Sequence, residues 1–189
     1  AEPPPSGLPE YEPVTHPAPS LRATLRCHVA TPSRVKLSVT ADVQAQADAL
    51  RLRYTLRGDT RLLRIPAPTA PVPTDGLWRH TCFEAFVAAD DEPAYREFNF
   101  SPSSAWAAYR FASERQRDPN AEARESVLLR PPQVTVTPQA ITLTVRVPAT
   151  ALPRSPAVLS LGLCAVIEEL DGHLSYWALH HPAAHADFH

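Results

Sequence analysis

A chain of 189 residues with a formal net charge of −2 has room for one domain and offers no electrostatic footprint for nucleic acid. Its 22 prolines against 5 glycines starve helices, because each proline removes a backbone donor and fixes φ. No apolar run approaches the about 20 residues a membrane helix needs, so no membrane partner is expected. The start, AEPPPSGLPEYEP, lacks the basic and apolar regions of a signal peptide, which makes the cytoplasm the expected location and leaves the periplasm open. Lys36 is the sole lysine, and the arginines fall singly along alternating segments, the pattern of solvated strand faces rather than of a phosphate-binding stripe. Cys27, Cys82 and Cys164 lie far apart without metal-type spacing, and an odd count excludes full internal pairing. Two of them sit inside apolar strand patterns, where a free Cys reads as a small buried hydrophobe.

In chain order, residues 1–20 form a Pro-rich lead-in without periodicity, and residues 21–189 form the folded domain. Leu21–Val29 alternates, with Leu21, Ala23, Leu25, Cys27 and Val29 on one face. Arg34–Val43 and Leu50–Leu56 repeat the period of two, the latter with Arg51, Arg53 and Arg57 outward. Arg57–Thr60 reads as a turn, Arg61–Ile65 as a short return strand, and Pro66–Asp75 as an extended loop enforced by its prolines. Leu77–Val87, Tyr95–Ser101 and Trp106–Phe111 read as consecutive hairpin-linked strands. Ala112–Arg124 reads as an exposed loop with a helical turn at most, then Ser126–Arg130 and Gln133–Thr137 as short strands. Ile141–Val147 alternates most cleanly, and Val158–Glu168 and Leu174–His181 complete the set. Short alternating runs with Pro turns predict an all-β fold: an antiparallel β-sandwich, jelly-roll or immunoglobulin-like, of about ten or eleven strands.

Chemistry concentrates between Leu77 and Phe111, where aromatic and polar side chains alternate on neighbouring strands as on a ligand-binding sheet face. With the strands in register, Trp78, His80, Glu84, Glu97, Asn99, Trp106 and Arg110 share one concave surface. Phe83, Phe98, Phe100, Tyr109 and Phe111 then fill the core, although a Trp beside small residues is also a common core plug, which leaves Trp106 open. A sugar offers its apolar ring face to Trp and its hydroxyls to Glu, Asn and Arg. No Ser stands in a GxSxG elbow and no Cys has a His at recognisable spacing, so no catalytic nucleophile is assigned. Carboxylate pairs such as Glu84 with Glu97 read as solvated groups rather than as a glycosidase dyad. The late histidines, with His181 and His185 four apart, are interrupted by Pro182, so no metal site is assigned. A chain without Met cannot ligate haem through Met and His, and CxxCH is absent; bis-His ligation through residues such as His80 and His180 stays open.

Three blocks, LWRHTCFEAFV, YREFNFSPSSAWAAYRF and LSYWALHHPAAHADFH, resemble the bacterial DOMON-like family, which is related to the type 9 carbohydrate-binding modules and to haem- or sugar-binding DOMON domains. The resemblance implies a β-sandwich with a ligand site on one sheet and no catalysis. In the carbohydrate modules a Trp, a Glu six residues later and an Asn on the next strand contact sugar, an arrangement that Trp78, Glu84 and Asn99 match. A second Trp clamps the sugar from the other side; Trp177 occupies that place here, with Tyr176 as the ligand-facing alternative should Trp177 be core. His80 and Thr81 stand where the family has carboxylates, which argues against calcium and against the usual sugar specificity. The expectation is a non-catalytic binding domain for a saccharide or similar small polyol, without a cofactor. A haem- or redox-linked DOMON-type domain and a protein-interaction module are the alternatives.

Overall fold

The computed structural model describes residues 20–125, 128–154 and 158–180. The Pro-rich lead-in to residue 19 and the histidines from His181 onward lie outside the described residues.

Eleven antiparallel strands form one hydrogen-bonded series that folds over on itself. They are β1 Ser20–Cys27, β2 Ser38–Ala45, β3 Ala49–Arg57, β4 Cys82–Ala89, β5 Tyr95–Phe100, β6 Trp106–Ser113, β7 Gln116–Arg117, β8 Gln133–Thr137, β9 Ala140–Pro148, β10 Leu159–Glu168 and β11 Leu174–Ala178. The spatial order is β7-β6-β5-β4-β10-β11-β1-β2-β3-β9-β8. The fold-over happens along β1: Ser20–Leu25 pair with β2, while Arg26 and Cys27 pair with β11. A front layer (β7, β6, β5, β4, β10, β11) thus covers a back layer (β1, β2, β3, β9, β8), the sandwich that the alternation predicts. No helix among the described residues is long and apolar enough to cross a membrane.

The core lies between the layers. Val39, Ala41, Leu52, Tyr54, Leu56, Ile141 and Leu143 come from the back, and Phe83, Ala85, Phe98, Phe100, Leu163 and Ile167 from the front. Burying each large side chain contributes about 1.5–3 kcal/mol. Tyr54 ties the layers together: its ring lies 5.2 Å from that of Phe83, and its hydroxyl donates to the Glu84 carbonyl at 2.6 Å.

Several local expectations change. Leu77–Arg79 is a one-turn 3-10 helix rather than the start of a strand, entered through Gly76 in the left-handed region (φ 78°). Thr60–Leu62 is also a 3-10 turn, because the Asp59 carboxylate accepts from Arg61 N and caps it; only Leu63 then bridges, to Glu169. The loop expected before Arg124 contains helix α1, Pro119–Glu125, with Pro at its first position and Asp118 accepting from Ala121 N at 3.1 Å. Leu128–Arg130 are not a strand, since Pro131 and Pro132 follow and remove two successive donors, and Ser126 and Val127 lie outside the described residues. The three cysteines are free. Gly58 is obligatory: at φ 148° a Cβ would stand 2.6 Å from the Lys36 carbonyl oxygen.

Candidate functional site

Strand pairing fixes which side chains share the outer surface of the front layer. Cys164 of β10, Glu84 of β4, Asn99 of β5 and Ala107 of β6 stand side by side in one row. The next row holds Gly162, Phe86, Glu97 and Tyr109, and the one beyond it Ser160, Ala88, Tyr95, Phe111 and Arg117. In the other direction lie Cys82, Val166 and Tyr176. Glu84, Glu97 and Asn99 therefore come together as the sequence implies, with Glu97 diagonal to Glu84.

These polar groups are covered rather than solvated. Glu84 is 2% exposed and Asn99 fully buried. Asn99 Nδ2 donates to Glu97 Oε1 at 2.9 Å, which leaves its buried Oδ1 without a partner among the described residues. Burial, and then the neighbouring Glu97 carboxylate, push the Glu84 carboxyl well above its ordinary range. Burial raises Glu97 from 4.5 to about 7, against the opposing hydrogen bond from Asn99. That burial favours the protonated form of Glu84, which can donate as well as accept. A buried amide oxygen without a donor costs about 1–3 kcal/mol unless something bonds it.

Aromatic rings frame the group. Trp78, 38% exposed, stands edge-on to Tyr109 with centroids 5.8 Å apart. Arg117 lies over the Tyr109 ring, its guanidinium carbon 4.6 Å from the centroid, and bonds Glu122 at 2.7 Å. The Tyr109 hydroxyl donates to Asp75, and burial followed by that acceptor raises its pKa. Tyr95 stacks on Phe111 at 4.6 Å with planes 6° apart. Two open cavities flank the centre: one of about 300 Å³ along Asp75, Tyr109 and Arg117, and one of about 310 Å³ along Phe86, Tyr95 and Gly162. A Cβ at Gly162 would stand 3.4 Å from that of Phe86 and 4.0 Å from the nearest ring carbon, within van der Waals contact.

Four sequence-predicted residues sit elsewhere. Trp106 pairs with Phe100 and belongs to the central core at 6% exposure, so its side chain cannot join the Glu84 face. Arg110 pairs with Arg96 on the same inward parity. The converse correction concerns Tyr109 and Phe111, expected in the core but packed with Ala107, Leu77 and Tyr95 on the outer face. Trp177 pairs with Ala165 and is core, its indole N–H donating to Ser175 at 3.0 Å; Tyr176 has the outward parity of Val166. His80 is on the outer side but at the end of the layer, its side chain 59% exposed and Nδ1 2.7 Å from Glu168, which Arg64 also approaches. The residues that sequence reasoning missed are Asp75, Phe86, Tyr95, Tyr109, Phe111 and Arg117. Phe86 carried a signal, since it shares the parity of Glu84 along β4.

Among the described residues no group of three or more His, Cys, Asp or Glu could hold a metal ion. No family model and no curated protein matches the chain. Solved structures do. A protein of Bacteroides uniformis to which carbohydrate binding has been ascribed aligns with TM-score 0.61 at 12% identity, covering 88% of this chain and 79% of that one. A family 9 carbohydrate-binding module of Caldicellulosiruptor kristjanssonii in complex with cellotriose aligns with TM-score 0.58 at 8% identity, covering 84% and 72%. A glucose complex of a family 9 module from that organism aligns with TM-score 0.53 at 6% identity, covering 82% and 73%. At these identities the likeness is one of fold.

Proposed function

We propose that the outer face around Glu84 and Asn99 binds a saccharide or similar small polyol without catalysing its turnover. The observation that carries this reading is the buried Asn99 Oδ1, left without a donor beside the Glu84 carboxyl. A ligand hydroxyl donates to such an acceptor, while the protonated form of Glu84 that burial favours donates to the hydroxyl's lone pairs. Trp78 and Tyr109 on one side, with Phe86 and Tyr95 on the other, offer apolar surface to ring C–H groups. The fold shared with modules in complex with cellotriose and glucose supports the same ligand class. We place the chain with the bacterial DOMON-like domains on its Trp78, Glu84 and Asn99 pattern. Tyr176 serves as a flanking contact; Trp106, Trp177 and Arg110 do not enter the site.

Isothermal calorimetry of the full chain against glucose, cellobiose and xylose tests the reading, with tryptophan fluorescence reporting Trp78. Saturable heat is expected, and Glu84→Ala and Asn99→Ala should each weaken binding at least roughly tenfold, as loss of a buried hydrogen-bonding group does. The absence of any heat at millimolar sugar would sink the proposal.

A further inference from the structure

The back layer turns a second polar surface outward, opposite in character. Its centre is a row of threonines: Thr24, Thr40, Thr55, Thr142 and Thr135 lie side by side on β1, β2, β3, β9 and β8. Arginines flank that row. Arg57 stands on one side, opposite Ser38 and Ala140, and Arg53, Arg51 and Arg146 stand on the other. Arg22 of β1 joins them beside Asp42. Residues that are scattered along the sequence are thus gathered by the topology into five guanidinium groups, against the carboxylates of Asp42 and Asp48.

The internal pairing leaves part of this charge uncompensated. Arg22 takes both oxygens of Asp42, at 2.6 and 3.2 Å, and Arg146 is drawn to Asp48 at 2.5 Å. Arg53 and Arg51 contribute to lowering the Asp42 pKa, after Arg22 itself, yet neither bonds it. Beyond their backbone pairing, the side chains of Arg51, Arg53 and Arg57 make no hydrogen bond or ion pair among the described residues. Arg51 sits directly across from Arg146 and about 7 Å, two residues, from Arg53. Like charges opposite one another on a sheet destabilise it, so this arrangement gains from an external anion.

We propose that this back face binds a linear acidic polysaccharide of the uronate type, with Arg51, Arg53 and Arg57 meeting its carboxylates and the threonine row its hydroxyls. Guanidinium pairs with carboxylate through two parallel hydrogen bonds, which gives geometry as well as attraction. The strand rows carry no aromatic side chain, so nothing is available to stack on nucleobases or to anchor in a bilayer interface. A row of hydroxyls between charges instead matches a chain that alternates hydroxyl and carboxylate. This surface is separate from the front face, and an acidic polymer here would hold the domain on a substrate while the front face samples small sugars.

Native affinity electrophoresis of the full chain in gels containing polygalacturonate tests the proposal, with neutral dextran gels as reference. Retardation is expected in polygalacturonate alone, weakening as salt rises through about 0.15 M, where the Debye length falls to about 8 Å. It should persist with excess free glucose in the gel, which separates this surface from the front one. The R51Q/R53Q/R57Q chain should need at least tenfold more polymer for the same retardation and R53Q alone at least twofold more, whereas R154Q, which belongs to none of these strand rows, should match the parent. Thermal unfolding of each variant establishes that it is folded. The proposal is overturned if the parent is not retarded at low salt, if folded R53Q and the triple variant both run like the parent, or if phosphatidylglycerol vesicles or single-stranded DNA bind more tightly than polygalacturonate.

Discussion

The two outer faces of the sandwich hold polar side chains on the same strand geometry and put them to opposite use. On the front, Glu84, Glu97 and Asn99 are buried under a rim of aromatic rings, and burial raises the pKa of both carboxyls. On the back, Arg53, Arg57 and Thr135 stand in water, and the hydrogen bond from Arg22 holds the Asp42 carboxyl below its ordinary range. The difference lies in what stands beside the polar groups. Phe86, Tyr95, Tyr109 and Phe111 exclude water from the front rows, whereas the back rows hold threonine, arginine and other polar side chains without an aromatic ring. A desolvated polar group needs a partner with matched geometry; a solvated one acts through charge at longer range and yields to salt.

The largest effect expected from testing this contrast concerns neither face but the layer beneath. Trp106→Ala should cost about 3–5 kcal/mol, as truncation of a buried Trp does, because the ring packs in the central core beside Phe100. Denaturant titration measures it. A loss below about 1 kcal/mol with impaired sugar binding would put Trp106 on the front face and undo the parity described above.

Next in size is a pH dependence that the front face should show and the back face should not. The Glu97 carboxyl rises from 4.5 to about 7 in the folded chain, so the folded state holds a proton that the unfolded state has released. Its contribution to stability is therefore fully present below about pH 4.5 and is lost as pH climbs through 7, on the order of 3 kcal/mol in all. Glu84 is shifted in the same direction, so its contribution has the same sign. Urea midpoints at pH 5 and pH 8 should fall with pH in the parent and much less in E97Q, while R53Q should follow the parent. Equal slopes for parent and E97Q would contradict the burial of this group.

How much of this could be seen in the sequence turns on loop length. The pattern of β3 and β9 gave inward and outward sets that match the core, because one face is apolar and the other polar. On β4 and β5 the same reasoning put Glu84 and Asn99 together. Along β6 both parities carry aromatic side chains, so alternation alone has no preferred phase. The five residues from Ser101 to Ala105, with Ser104 at φ 77°, pair Phe100 with Trp106, and a hairpin loop one residue shorter or longer would turn every β6 side chain over. Helix α1 had a readable start in Asp118-Pro119, but seven residues are too few for a helical period to emerge.

A smaller prediction probes the joint between the faces. Tyr54 belongs to the back layer, yet its hydroxyl donates to the main chain of Glu84, the residue at the centre of the front site. Tyr54→Phe keeps the ring against Phe83 and removes only that bond, so the expected cost is about 0.5–1.5 kcal/mol. The hydroxyl also holds the β4 backbone where the Glu84 side chain leaves it, so sugar affinity should fall in Y54F although no ligand reaches Tyr54. Calorimetry on the folded variant measures that coupling. Weakened binding with an intact core would show that the back layer positions the front site; unchanged binding would mean that the pairing of β4 with β5 and β10 places Glu84 by itself.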